Sequence, residues 1–168
     1  MNANHPKARM IQLPLRISKR HQRLARTQFA ALPWRMAGDG LEICLVTSRG
    51  RGRWILPKGW PMDGVTPAQA ATIEAREEAG LLGQPEDRCL GLWSYVKSGA
   101  PHVAMVFPLR VDRVLDDWPE RGQRRRKWFS PDRAAAKLDA PDLHRMLLGF
   151  EPMPQMPAPE PAPHPAAS

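Results

Sequence analysis

Glu74, Glu77 and Glu78 fall at positions i, i+3 and i+4 of the run from Pro67 to Ala79. If that run is helical, the three carboxylates share one face. Like charges so placed repel one another unless something neutralises them. A hard divalent cation would do so, because Mg²⁺ takes oxygen ligands and keeps water in its remaining positions. Three glutamates alone describe an ordinary solvated acidic face. The segment ahead of them, Leu56-Pro57-Lys58-Gly59-Trp60-Pro61-Met62-Asp63-Gly64, changes that reading. It ends an apolar run and turns through glycines and prolines directly in front of the acidic face.

The elements that must position these groups are legible locally. Thr66 is a good N-cap, Pro67 suits the first helical position, and Gln69 completes a capping-box pattern. Ala68, Ala70, Ala71 and Ala75 are strong helix formers. Gly80 supplies the left-handed residue that ends the helix. The spacing thus predicts a helix from about 67 to 79.

Loop and helix together resemble the signature of the Nudix hydrolases, Gly-x5-Glu-x7-Arg-Glu-U-x-Glu-Glu-x-Gly-U, where U is aliphatic. Gly59 opens the pattern, and Glu74, Glu77, Glu78, Gly80 and Leu81 fall in register. Two positions depart: Val65 stands for the first Glu and Ile73 for the Arg. Ala75 is smaller than the aliphatic residue the pattern expects.

The resemblance implies pyrophosphate cleavage with Mg²⁺, or Mn²⁺ in its place. Glu74 and Glu78 would coordinate the metal. Glu77 would position or deprotonate the attacking water and touch a second metal. The Lys58 carbonyl would be a further ligand, with Gly59 allowing the backbone to come close. A bound cation neutralises phosphate oxygens and lowers the pKa of water.

Residues 27–150 also resemble the diphosphoinositol polyphosphate phosphohydrolase branch of that family, known too for diadenosine polyphosphates. The likeness rests on Leu45-Val46-Thr47-Ser48 leading to Arg53-Trp54-Ile55, on Val114-Leu115-Asp116-Asp117-Trp118, and on Arg124-Arg125-Arg126-Lys127-Trp128-Phe129. Lys58 and Trp60 interrupt the branch's consecutive glycines, and Lys127 stands where the branch more often has Glu. By resemblance, Thr47, Ser48, Arg53, Gly59, Lys97, His102 and Arg124 would contact substrate. A polyphosphorylated small molecule needs several cations beyond those the glutamates hold.

Taken in order, the chain reads as a first strand at 27–36, with Pro33 suggesting an edge or a bulge. A second strand from Leu41 to Ser48 forms a hairpin with it. A basic loop follows, then Trp54-Ile55 and the acidic helix. Leu82 to Asp87, holding Gly83 and Pro85, reads as a connection. Strands are expected at 89–96, 102–111 and 124–129. A helix should open at Ser130-Pro131 by the same cap-and-proline logic. Leu143, Met146, Leu147 and Phe150 mark a C-terminal helix packed on the core. The expected fold is α+β, a mixed β-sheet sandwiched between α-helices.

The length of 168 residues suits one domain with tails. Residues 1–26 carry a net +7 of the chain's +8 and contain no Asp or Glu, leaving +1 for the other 142 residues. This leader reads as solvated and disordered. Its charge also suits contact with nucleic acid. It is Arg-rich like an organelle transit peptide, although Ser18 is its only serine. Residues 151–168 are a Pro/Ala-rich tail, read as disordered with extended character. No run of eighteen apolar residues is present, so no membrane span is expected. Cys44 and Cys89 are too few for a disulfide framework, which fits a cytoplasmic location. Two other functions compete: a general NTP or nucleotide-sugar pyrophosphatase, and a catalytically silent nucleotide- or RNA-binding module. Val65, Ile73 and the leader favour the silent module, and the three retained glutamates oppose it.

Overall fold

A computed structural model describes residues 13–14, 26–38 and 40–153. The basic leader and the Pro/Ala tail expected from the sequence lie almost wholly outside these residues. Eight strands form one sheet: β1 (Thr27–Ala37), β2 (Gly40–Thr47), β3 (Trp54–Ile55), β4 (Lys58–Gly59), β5 (Leu81–Pro85), β6 (Gly91–Lys97), β7 (Ala100–Val114) and β8 (Arg126–Phe129). Among the described residues, three helices cover it: α1 (Pro67–Ala79), α2 (Pro131–Lys137) and α3 (Pro141–Leu148). The main strand order is β3-β2-β1-β7-β5, with β4 on β1, β6 on β7 and β8 on β2. β1 and β7 run parallel, while the other pairs are antiparallel. The sheet is therefore mixed, as expected.

Strand alternation sends neighbouring residues to opposite faces. Leu32, Trp34, Ile43 and Leu45 join one core with Leu138, Leu143, Leu147 and Phe150, beneath α2 and α3. Phe29, Ala31, Cys44 and Val46 join the other with Leu81, Phe107 and the alanines of α1. The C-terminal apolar set thus packs the core. Among the described residues, no helix is long and apolar enough to cross a membrane.

Two local expectations change. Pro33 suggested an edge or a bulge, yet β1 lies inside the sheet, its register with β7 runs through Pro33↔Leu109 without a shift, and Pro33 is fully buried. It sits where β1 passes from pairing β4 at Phe29 and Ala30 to pairing β2 from Trp34 onward. A residue in that gap needs no ladder N–H on that side. Leu82 to Asp87 suggested a connection, yet Leu81–Pro85 is a strand on β7 with a bulge between Leu82 and Gly83. A Cβ on Gly83 would lie 1.8 Å from the Arg110 carbonyl oxygen, so this glycine marks close backbone approach. The last basic strand begins at Arg126, which leaves Arg124 in the preceding loop.

Candidate active site

Helix α1 sets the site. Thr66 Oγ1 accepts from the Gln69 N–H at 3.2 Å, and Gln69 Oε1 accepts from the Thr66 N–H at 2.9 Å. Gly80 closes the helix at φ 62°, and its N–H reaches the Ala75 and Arg76 carbonyls. Ala68, Ala70, Ala71, Ala75 and Ala79 are all buried against the sheet. Small side chains there let the helix lie close to β1 and β4, so its glutamate face meets the preceding loop.

That loop enters through β4, whose Lys58 and Gly59 pair with Ala30 and Phe29. A Cβ on Gly59 would lie 1.8 Å from Glu74 Oε1, so the Glu74 carboxylate rests on bare glycine backbone. The Lys58 N–H donates to Glu78 Oε2 at 3.2 Å. Glu78 is only 5% exposed, whereas Glu77 is on the exposed edge of the helix.

A fourth carboxylate comes from outside the helix. Glu120 donates its N–H to the Glu77 carbonyl at 3.1 Å and pairs through its side chain with Arg124. Arg124 also pairs with Glu78 Oε1 and donates to the Thr47 carbonyl at 3.0 Å. Burial pushes the Glu74 carboxyl up to about 7, helped by the charges of Glu78, Glu77 and Glu120 and opposed by Lys58. Burial also raises Glu78, with Arg124 and Lys58 pulling it back. Among the described residues, no three acidic, His or Cys groups are gathered tightly enough to hold a metal ion. The donor set nevertheless fits a hard divalent cation. It is all oxygen, and at Glu74 its negative charge is only partly offset within the chain.

Lys58 contributes more than backbone. Its ammonium lies over the Trp93 and Tyr95 rings, at 5.5 and 5.2 Å from their centroids. Burial lowers its pKa; Lys97 and Arg124 lower it further, against the pull of Glu78 and Glu74. Tyr95 stacks on His102 at 5.4 Å, and Trp60 meets the other side of the row at 5.7 Å. Trp60 is 37% exposed. The Tyr95 hydroxyl donates to Gln28 Oε1.

The sequence-predicted residues therefore separate into groups. Glu74, Glu78, Lys58 and Gly59 converge, with Glu77 beside them. His102 lies across from Tyr95 in the β6–β7 ladder, and Lys97 is exposed at the end of β6. Thr47 is buried, and its hydroxyl accepts from the Arg125 N–H at 2.9 Å. Ser48 Oγ accepts from the Arg53 N–H at 3.0 Å, which closes the basic loop, and exposed Arg53 lies 3.8 Å from Asp139. Arg124, expected among the substrate cations, is 7% exposed, with its guanidinium directed at protein acceptors.

Sequence reasoning missed several members of this site. Trp118 Nε1 donates to the Glu78 carbonyl at 3.2 Å. Arg126 donates to the Ala79 and Leu115 carbonyls, each at 2.6 Å, and stacks on Trp118 at 4.1 Å. These two side chains satisfy helix-end carbonyls that α1 cannot bond itself. Glu120 carried one signal, its i,i+4 spacing to Arg124. Trp93 and Tyr95 carried none.

Comparisons with known proteins agree with this geometry. A family model described as NUDIX domain matches residues 26–149. Nudix hydrolase 12, mitochondrial, of Arabidopsis thaliana is 36% identical over 119 residues, covering 66% of this chain and 58% of that relative. Nudix hydrolase 18, mitochondrial, of the same plant is 31% identical over 129 residues, covering 71% and 72%. Diphosphoinositol polyphosphate phosphohydrolase 2 of Rattus norvegicus is 33% identical over 120 residues, covering 66% and 65%. In fold, the chain is similar to the crystal structure of C. elegans Ap4A hydrolase, with a TM-score of 0.61 at 20% identity, covering 74% of this chain and 94% of that one. With its signature loop and helix in register and the match spanning the whole sheet, the chain belongs to the Nudix hydrolase family.

Proposed function

We propose that the chain is a Mg²⁺-dependent phosphohydrolase, also served by Mn²⁺, that cleaves phosphoanhydride bonds in polyphosphorylated small molecules. Diphosphoinositol polyphosphates and diadenosine polyphosphates are the leading substrates. The observation that carries this reading is the Glu74 carboxylate lying on bare Gly59 backbone, raised to about 7 by burial first and then by the charges of Glu78, Glu77 and Glu120. A bound cation would offset that charge.

Glu74, Glu78 and the Lys58 carbonyl would hold the metal, with Glu77 at its edge. The metal, when bound, neutralises phosphate oxygens and acidifies water. Glu77 is exposed and free to orient the attacking water and take its proton. Arg53, Lys97 and His102 would meet the outer phosphates, and the Gly59 backbone would lie against the phosphate chain. Thr47 and Ser48 would shape the adjoining basic loop. Arg124 would act from behind the site. The relatives named for diphosphoinositol polyphosphates and the exposed basic loop favour a substrate with many phosphates. Exposed Trp60, beside the His102–Tyr95 stack, favours a substrate that also carries a planar base.

Both cysteines are free, and Cys44 is buried, which supports a reducing compartment such as the cytoplasm. Several plant relatives are named mitochondrial or chloroplastic, so the Arg-rich leader is the segment to test for targeting. Its contact with nucleic acid is likewise open to a binding assay of chains with and without residues 1–26. The function itself is tested by a hydrolysis panel of diphosphoinositols, diadenosine polyphosphates, NTPs and nucleotide sugars, each with Mg²⁺ and with EDTA. Turnover of the first two classes with Mg²⁺ supports the reading. Turnover confined to NTPs or nucleotide sugars would replace the substrate class, and none at all would favour a silent binding module.

A further inference from the structure

Arg124 joins three parts of the fold. Its guanidinium pairs with Glu78 on α1 and with Glu120 in the loop after β7, and it donates to the Thr47 carbonyl at the end of β2. Both Glu78 oxygens are engaged within the chain, Oε1 by Arg124 and Oε2 by the Lys58 N–H. A buried cation and a buried carboxylate each need a partner, and removing one strands the other. Here the Arg124 fork has two carboxylates to hold. Release of Glu78 would leave the guanidinium on Glu120 and the Thr47 carbonyl, with Arg49 3.7 Å from the other Glu120 oxygen at the exposed rim. The arrangement has a spare acid on the arginine's side.

We propose that Arg124 is a positioning residue, an internal counter-ion that latches Glu78 and is retained by Glu120 when a divalent cation takes the Glu78 carboxylate. This rests on the reading above that Glu78 is a metal ligand. The latch keeps a buried carboxylate paired before the cation arrives. The fork is essential, because a lysine in the same place presents a single charged point and cannot span both acids.

The test uses the full chain stripped with EDTA and titrated calorimetrically with Mn²⁺. Arg124→Lys keeps the charge and loses the fork, so a charge effect alone would leave the affinity unchanged. The latch requires Mn²⁺ to bind the variant about tenfold more tightly than the wild type, the scale of one charge-assisted hydrogen bond. Unchanged or weaker binding by a folded variant would overturn it. The wild type supplies a second readout that does not depend on the variant folding. In side-chain nitrogen NMR, the Arg124 terminal resonances should shift on adding Mg²⁺ while its Nε–H, held by Glu120, persists. Terminal resonances unmoved at Mg²⁺ concentrations that support hydrolysis would overturn the latch alone. A wild-type chain that neither binds Mn²⁺ nor hydrolyses any polyphosphate would overturn both the latch and the reading beneath it.

Discussion

Gly59 and Glu74 share one small volume, in which a methyl group at residue 59 would lie 1.8 Å from Glu74 Oε1. The glycine is needed there for space. Gly59→Ala should therefore displace the Glu74 carboxylate, and a shift of about 1 Å at a reacting centre costs about 10²-fold in rate. Steady-state kinetics with Mg²⁺ checks this. Near-wild-type turnover would mean that the Glu74 position is not used.

Glu77 and Glu78 should separate stability from catalysis. Glu77 is exposed, while Glu78 is buried and pairs with Arg124. Glu77→Gln should leave stability within about 0.5 kcal/mol of wild type and lower turnover by about two orders of magnitude. Glu78→Gln should lose both activity and stability. Denaturant melts paired with kinetics on both variants give the comparison. A Glu77→Gln protein that keeps full turnover would remove Glu77 from the reaction.

Glu74 should give the metal-free protein an unusual pH dependence. Its carboxyl is raised from 4.5 to about 7, by burial first and then by the neighbouring carboxylates. Below the ordinary value it is protonated in both folded and unfolded chains, and its contribution to stability is fully present. Between the two values the unfolded chain releases its proton while the folded chain retains it, so stability falls as pH rises. Melts in EDTA at pH 5 and pH 8 should show this loss in the wild type and a smaller one in Glu74→Gln. Mg²⁺ should reduce the loss at pH 8. Identical pH profiles for wild type and variant would contradict the buried, uncompensated carboxylate.

Val65 and Ile73 occupy the positions where the family pattern has Glu and Arg. Val65 packs against the core beneath α1, and Ile73 is half-buried on that helix. Replacing an ion pair by two apolar residues avoids stranding a buried charge. Val65→Glu or Ile73→Arg alone should destabilise the domain by about 1–3 kcal/mol. The double variant should recover part of that. Denaturant melts of all four proteins measure the coupling, and strictly additive effects would mean that the two residues do not brace each other.

Where the physics is local, the sequence was readable. The α1 boundaries follow from Thr66, Pro67, Gln69 and Gly80, and the structure forms the capping box those residues promised. The α+β class followed from strand and helix patterns. Gly83 and Pro85 suggested a turn because their strand role depends on the Arg110 backbone across the sheet. Arg124 was expected to contact substrate because two of its acceptors, Glu78 and Thr47, lie 46 and 77 residues away in sequence. Only its i,i+4 partner Glu120 was close enough to signal a pairing, and its bond to the Glu77 carbonyl needs the loop assembled against α1.

Hydrolysis of a diphosphoinositol polyphosphate and of a diadenosine polyphosphate by the wild-type chain, measured with Mg²⁺ and with EDTA beside Glu78→Gln, tests the central claim most directly. The expected result is turnover of at least one of them with Mg²⁺, its loss in EDTA, and a fall of about two orders of magnitude in the variant. Equal turnover with and without divalent cation, or an unimpaired Glu78→Gln, would contradict the assignment of the glutamate face as a metal-assisted phosphohydrolase site.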